Sequence, residues 1–158
     1  MKALVVYDSE FGNTEKVARA MGEALDRLGD VQVLNVTDPQ ALQVEGLDLL
    51  VAGGPTQRFT ARPAMKSWLK AIPSNGLARI KVAAFDTRIT QEEIDGIKIL
   101  AFFVKLFGYA AEPIAKGLTA KGGELLVEPA GFYVAGTEGP MVKGELERAE
   151  AWAEGLLG

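Results

Sequence analysis

The sequence contains no cysteine and no histidine, and these two absences exclude whole classes of chemistry. Without these side chains the protein cannot form a disulfide, use a thiolate nucleophile, or ligate an iron–sulfur cluster. A zinc site of the usual type and a Ser-His-Asp triad are excluded for the same reason. Any redox role must therefore depend on a bound organic cofactor.

Long apolar runs and a positive charge excess are also missing. The longest apolar stretch, residues 97–111, is interrupted by Lys98 and Lys105, so no run of about 18 apolar residues predicts a membrane span. A net charge of −4 argues against nucleic acid as a partner. Strand-like sequence begins at Ala3 without a basic start or cleavage site, so we expect no signal peptide and a cytoplasmic location. The 158 residues, 48% hydrophobic and 24% charged, predict a single domain over residues 1–158.

The remaining sequence alternates between strand and helix patterns, as a parallel sheet with helices on both faces requires. Strands are predicted at residues 3–7, 31–34, 47–52 and 80–85, with a fifth strand split into 124–127 and 132–134. Helices are predicted from residue 14 to Gly29 with Leu28 on the apolar face, from Pro63, and at 91–107, 110–121 and 143–157. We therefore predict an α/β doubly wound five-stranded sheet of order 2-1-3-4-5, with a ligand site beyond the carboxyl ends of its strands.

The stretch of residues 5–15 is the most informative one in the sequence. Its apolar run ends at Tyr7, and a polar turn with Ser9, Gly12 and Thr14 then leads into an amphipathic helix. Such a turn forms a phosphate pocket, because the first helical N–H groups are unpaired and the helix dipole favours an anion. Neither a Gly-Lys-Ser/Thr motif nor G-x-G-x-x-G after the first strand is present, so the better-known nucleotide motifs are excluded. The alternative for this turn is an ordinary helix N-cap.

This turn resembles the phosphate loop of the flavodoxin family, Ser/Thr-x-Thr-Gly-x-Thr, which grips the phosphate of FMN. Phe11 stands where many flavodoxins carry a second threonine, so one hydroxyl contact is missing. No insertion of about twenty residues breaks the fifth strand, and the chain is in this respect similar to short-chain flavodoxins. The resemblance implies an FMN phosphate site formed by Ser9, Glu10, Phe11, Gly12, Asn13 and Thr14.

Two further stretches follow the third and fourth predicted strands, where the family places the loops that flank the flavin ring. Gly53 and Gly54 permit close backbone approach and a peptide flip toward flavin N5, and Gly-x-Pro-Thr is frequent in flavodoxin-superfamily quinone reductases. The resemblance implies ring contacts from Pro55, Thr56, Gln57, Arg58, Phe59, Asp86, Thr87 and Arg88. The alternative for the stretch after the third strand is a tight turn with Phe59 in the core. The alternative for residues 86–88 is a helix cap with a solvated ion pair.

The resemblance implies a protein that binds FMN and transfers electrons to a redox partner protein. One alternative is a small FMN-dependent oxidoreductase with a quinone-like acceptor, and another is a binding module that has lost the cofactor. Arg58 and Arg88 near N1 of the flavin would favour two-electron reduction, unless they face solvent and pair with nearby acids such as Asp86. A response-regulator receiver is disfavoured, because Gly53 and Gly54 occupy the position of its phosphorylated aspartate.

Residues 97–107 concentrate apolar side chains on more than one helical face. One interpretation is that they are tucked into the core. The other is an exposed patch near the flavin rim, which would dock a redox partner, a lipophilic substrate, or a second copy of the chain as a homodimer.

Overall fold

A computed structural model describes residues 1–57, 60–90 and 108–157 of the chain. Its strands are Lys2–Tyr7 (β1), Asp30–Asn35 (β2), Leu49–Pro55 (β3), Lys81–Ile89 (β4), Glu124–Leu125 (β5) and Ala130–Val134 (β6). Its α-helices are Asn13–Asp26 (α1), Pro63–Ala71 (α2), Ala111–Ala120 (α3) and Glu145–Gly155 (α4). A short 3₁₀ helix at Pro39–Leu42, which the sequence analysis did not predict, follows β2.

All strand pairs of the sheet are parallel, and the order is β2-β1-β3-β4 with β5 and β6 both against β4. The short β5 pairs with the start of β4, at Lys81 and Val82, whereas β6 pairs with its end, from Phe85 to Ile89. The two therefore share one strand position at the edge of the sheet. The predicted order 2-1-3-4-5 and the predicted split of the fifth strand are both confirmed.

Helices cover both faces of the sheet, as predicted, and each face has its own apolar core. One core lies between the strands and helices α1 and α4, and its members include Val17, Phe85 and Ala149. The other lies under α2 and α3 and includes Trp68 and Ile114. Because the central strands are buried on both faces, they read in the sequence as nearly continuous apolar runs rather than alternating ones.

Strands β3 and β4 continue further than the sequence indicated. The prediction that Gly53, Gly54 and Pro55 begin a loop is wrong, and so is the prediction that Asp86, Thr87 and Arg88 follow β4. The backbones remain in register through these residues, with Gly54 opposite Asp86, Pro55 opposite Thr87, and Arg88 opposite Tyr133. The polar side chains of Asp86, Thr87 and Arg88 have partners inside the fold, so β4 does not end before them.

The end of the first helix also differs from the prediction. Helix α1 ends at Asp26, and Leu28, which was predicted on its buried face, is 52% exposed. The N–H of Leu28 donates to the carbonyl of Leu25 at 2.9 Å, which tightens the last turn and rotates the side chain of Leu28 away from the core. The chain then enters β2, where the N–H of Asp30 donates to the carbonyl of Met1.

Several predictions concern residues that the structure does not describe. The predicted helix at 91–107, the apolar patch and homodimer contact at 97–107, and the ring contacts of Arg58 and Phe59 all lie outside the described residues. Within the described ranges, no helix is both long and apolar enough to cross a bilayer.

The carboxylate of Glu145 ties the start of α4 to β6. It accepts the N–H of Tyr133 at 2.8 Å and two N–H groups of Arg148 at 2.9 and 2.7 Å. The hydrogen bond from Arg148, with that from the Tyr133 backbone, lowers the pKa of Glu145 although burial opposes the shift. Glu145 therefore stabilises the fold above its unfolded-state pKa of about 4.3, and the contribution is lost as the pH falls through the lower folded-state pKa.

We predict that Glu145→Gln lowers the free energy of unfolding near pH 7 by about 1–2 kcal/mol, because a charge-assisted bond becomes a neutral one. At a pH below the lowered folded-state pKa of Glu145, where the carboxyl is protonated in either state, the difference from the parent should nearly vanish. Urea unfolding at both pH values measures this. Glu147→Gln is the control, because Glu147 is an exposed acid in the same helical turn. An equal loss at both pH values would contradict the assignment.

Candidate functional site

The first loop, residues 8–12, connects β1 directly to the start of α1. Gly12 stands at the N-cap with φ 93°, a left-handed conformation that favours glycine, and a Cβ placed there would meet nothing within 4 Å. Ser9 Oγ accepts the N–H of Gly12 at 3.1 Å and holds the turn. Among the described residues, the N–H groups at the first three positions of α1, residues 13–15, have no hydrogen-bond acceptor. A helix N-terminus with unpaired donors and open space at its cap is suited to bind an anion.

Two side chains in the first turn of α1 fix this loop against its neighbours. The Asn13 amide donates to the carbonyl of Glu138 at 3.0 Å, which joins the loop to the segment that follows β6. Thr14 Oγ1 lies 2.9 Å from Thr87 Oγ1 on β4, with both side chains buried, and either hydroxyl can donate. When Thr87 donates, the hydrogen of the Thr14 hydroxyl is left available for a ligand. Phe11, by contrast, is 47% exposed.

The residues that follow Pro55 connect β3 with its neighbours on both sides. The N–H of Thr56 donates to the carbonyl of Thr87 at 3.0 Å, which continues the β3–β4 pairing by one step. The N–H groups of Gln57 and Thr60 each donate to the other's carbonyl, at 2.9 and 3.0 Å. The side-chain amide of Gln57 donates to the carboxylate of Glu10. The first and second predicted stretches are therefore in direct contact.

Asp86 and Thr56 together cap helix α3, which has no capping side chain of its own. The Asp86 side chain is fully buried, and its Oδ2 accepts the N–H of Ala111 at 2.9 Å. Thr56 Oγ1 accepts the N–H of Ala110 at 3.0 Å. A carboxylate at this helix N-terminus also interacts favourably with the helix dipole. Two residues that the sequence predicted as ring contacts thus hold a helix in place.

The side chain of Arg88 is paired with an acid rather than free. Its guanidinium donates to both carboxylate oxygens of Asp86, at 2.6 and 2.7 Å. One side of it packs on Gly131, where a Cβ would collide with it, and its Cζ lies 3.5 Å from the centroid of the Tyr109 ring. The alternative interpretation of residues 86–88, a helix cap with an ion pair, is therefore what the structure has. The pair is not solvated as expected, however, because the Asp86 side chain is fully buried and that of Arg88 is only 17% exposed.

A family model for the flavodoxin domain matches residues 4–127. The chain belongs to the flavodoxin family. No curated protein sequence matches this flavodoxin-family chain significantly.

Solved structures share the fold at low sequence identity. A flavodoxin from the domain Archaea superposes with a TM-score of 0.76 at 20% identity, covering 99% of this chain and 96% of that one. The flavodoxin of Streptococcus pneumoniae TIGR4 gives 0.75 at 20% identity, with 99% and 98% covered. Rubredoxin oxygen:oxidoreductase from Desulfovibrio gigas gives 0.71 at 20% identity over 97% of this chain, which spans only 34% of that longer protein.

One polar pair in this flavodoxin-family site, formed by Asp8 and Arg62, was not predicted from the sequence. Asp8 directly follows β1, and Arg62 is the N-cap residue of α2. Asp8 Oδ2 lies 3.5 Å from Arg62 Nε, too long for a good hydrogen bond, and both Asp8 Oδ2 and Arg62 Nη1 are buried without a hydrogen-bond partner. Burial raises the pKa of Asp8, whereas Arg62 and the N–H of Ser9 lower it. An acid at the end of a buried strand was the signal that could have revealed it.

The predicted site residues that the structure describes are therefore brought together at one sheet edge. The first stretch contacts the second through Gln57 and Glu10, and the third through Thr14 and Thr87. Tyr109, which was not singled out from the sequence, also lies among these residues. Its ring packs against Arg88, and the N–H of the adjacent Ala110 donates to Thr56. Burial also raises the pKa of Asp86, and the ion pair with Arg88 opposes that rise.

We predict that Asp86→Asn lowers the free energy of unfolding by about 3 kcal/mol, because it leaves the guanidinium of Arg88 buried without an anion. The double variant Asp86→Asn/Arg88→Met should recover much of that loss, since the unpaired charge is then gone. Urea unfolding of the single, double and parent proteins measures the coupling. Asp26→Asn serves as the control, because Asp26 is exposed at the end of α1. A double variant less stable than Asp86→Asn would contradict the assigned pair.

Proposed function

We propose that this flavodoxin-family protein binds FMN through the first loop and transfers electrons to a redox partner protein. The observation that carries the proposal is the start of α1, where three unpaired N–H groups meet the open space at Gly12. A phosphate monoester supplies the oxygen acceptors and the negative charge that such a helix N-terminus favours. The residues present thus fit the phosphate of FMN, and bound FMN would supply the redox chemistry that this chain lacks.

The fold of the neighbours supports the same function. The two neighbours of matching length are named flavodoxins, and the longer one is named an oxidoreductase. For this chain, we propose that the backbone N–H groups of residues 10–14 and the hydroxyl of Thr14 hold the phosphate. Thr87 would act as a positioning residue, because its hydroxyl can donate to Thr14 and so orient the Thr14 hydrogen toward the ligand.

The ends of β3 and β4 would form the wall beside the flavin ring. We propose that Pro55, Gln57 and Thr87 line that wall, whereas Thr56 and Asp86 shape it from behind. The reason is that the side-chain oxygens of Thr56 and Asp86 already accept N–H groups at the start of α3. The proposed contacts of Arg58 and Phe59 rest on the family resemblance alone.

The electrostatics at β4 favour an electron carrier over a quinone-type oxidoreductase. A free guanidinium near N1 of the flavin would have stabilised the fully reduced anion and merged the two electron steps. The charge of Arg88 is instead balanced by Asp86, whose oxygens lie 2.6 and 2.7 Å away. We therefore propose single-electron transfer to a partner protein, with a small quinone-like acceptor as the alternative. The cytoplasmic location and the single domain remain predictions from the sequence.

We predict that Gly12→Val abolishes FMN binding, because a β-branched residue strains the left-handed N-cap and projects into the phosphate space. Flavin fluorescence during titration with FMN measures the affinity. Gly46→Val is a matched control, because Gly46 also has a positive φ of 81° and open space around it but precedes β3 at the other end of the sheet. If Gly12→Val binds FMN as tightly as the parent protein, the phosphate site has been assigned to the wrong loop.

We predict that the FMN-loaded protein takes up its two electrons in two resolved steps when it is titrated with dithionite. The charge balance between Arg88 and Asp86 removes one of the two cations, Arg58 and Arg88, that would pull the two potentials together. Absorbance spectra recorded through the titration distinguish the steps. A single two-electron step would favour the quinone-type alternative over the carrier.

A further inference from the structure

The pair of Asp8 and Arg62 differs from most buried ion pairs in two respects, its long separation and its unpaired polar atoms. Its closest approach, Nε to Oδ2, is 3.5 Å, and no hydrogen bond is formed between the two side chains. Asp8 has a side chain only 6% exposed, yet its Oδ2 has no donor, and the buried Nη1 of Arg62 has no acceptor. Buried polar atoms in folded proteins nearly always have a hydrogen-bond partner, so an unpaired acceptor beside an unpaired donor is suited to a group that can both donate and accept.

The position of the pair relates it to the proposed phosphate site. Asp8 directly precedes Ser9, whose hydroxyl holds the phosphate loop, and the N–H of Asp8 donates to the carbonyl of Gly53 at 3.0 Å. The pair therefore lies at the switch point between β1 and β3, and Asp8 is the first residue of the loop that would hold the phosphate. In FMN the part of the molecule covalently next to the phosphate is the ribityl chain, with its three hydroxyl groups.

The chemistry of the pair selects a hydroxyl over the other groups of the ligand. A phosphate would be attracted by Arg62 but repelled by the carboxylate of Asp8, which carries the opposite charge to Arg62 at 3.5 Å. A hydroxyl both donates and accepts, so one group can give its hydrogen to Asp8 Oδ2 and receive one from Arg62 Nη1. It would also relieve the cost of burying the carboxylate, the same burial that raises the pKa of Asp8.

We propose that Asp8 and Arg62 bind a hydroxyl of the ribityl chain of FMN, and that they select for a polyol between phosphate and ring. This inference rests on the proposed FMN binding. Asp8 would be the acceptor and Arg62 the donor, and the pair would tighten around the hydroxyl when the ligand is bound. The specificity would come from a buried donor and acceptor that an apolar chain would leave unpaired.

The test compares two ligands on the full chain: FMN, and a flavin whose phosphate is joined to the ring through an unsubstituted pentyl chain. Dissociation constants come from fluorescence titration of the parent, Asp8→Asn and Arg62→Gln proteins. We expect the parent to prefer FMN by about tenfold or more, and each variant to lose most of that preference. Arg62→Lys, which keeps a donor at this position, should retain part of it. Glu145→Gln, at an acid–arginine pair on α4, should leave the preference unchanged.

Other results would overturn the inference in distinguishable ways. A parent that binds neither ligand refutes the proposed FMN binding together with this inference. A parent that binds FMN but shows the same preference in Asp8→Asn and Arg62→Gln leaves FMN binding intact and refutes only the role of the pair. If both variants weaken the two phosphate ligands equally but spare riboflavin, Arg62 binds the phosphate and the hydroxyl assignment is wrong. Thermal unfolding shows whether each variant folds. If Asp8→Asn does not fold, the comparison between the parent and Arg62→Gln decides among these outcomes.

Discussion

The edge of the sheet that carries the candidate site depends on the buried carboxylate of Asp86. Its two oxygens accept three N–H groups, two from Arg88 and one from Ala111. Arg88 and Ala111 belong to different parts of the structure. The guanidinium of Arg88 covers Gly131 of β6, and Ala111 is the first residue of α3. Removing the carboxylate would leave a largely buried cation and a helix terminus without their partner. The geometry of this edge thus follows from one side chain.

Strand β4 connects the two faces of the sheet through consecutive residues. Asp86 and Arg88 point toward α3, whereas Thr87 between them points toward α1 and meets Thr14 at 2.9 Å. Because side chains alternate along a strand, three adjacent residues serve both layers at once. The first loop and the proposed ring wall are consequently fixed to the same short piece of backbone. Rigid support of this kind is what a cofactor site requires if its contacts are to keep their geometry.

The sequence was sufficient to predict the sheet order and the first loop, because both leave local signals. The continuous apolar run of β3 and the hydroxyl-bearing turn from Ser9 to Thr14 can be read without knowing any distant contact. The continuation of β4 could not be predicted in this way. Asp86 and Arg88 have the composition of a loop, and only their mutual ion pair and the cap on Ala111 make them compatible with a buried strand. The sequence pattern alone gives no sign of such partners.

The Asp8–Arg62 pair was missed for a related reason. Each residue is unremarkable in its own segment, one a polar residue after a strand and the other a residue before a helix. Their contact arises only when β1 and the start of α2 meet at the switch point. Long-range pairing of charged side chains leaves no periodicity in the sequence, so pattern analysis finds the frame of a site more readily than the polar pairs within it.

The capping of α3 by residues from other segments has a consequence for the order in which the chain assembles. The groups that accept the N–H of Ala110 and Ala111 lie 54 and 25 residues away along the chain. The first turn of α3 therefore gains its partners only after β3 and β4 have come together, and that event carries the entropy cost of closing both loops. The capped start of this helix and the end of the sheet that carries the candidate site are therefore formed together. A nascent chain that has not yet paired these strands would lack both.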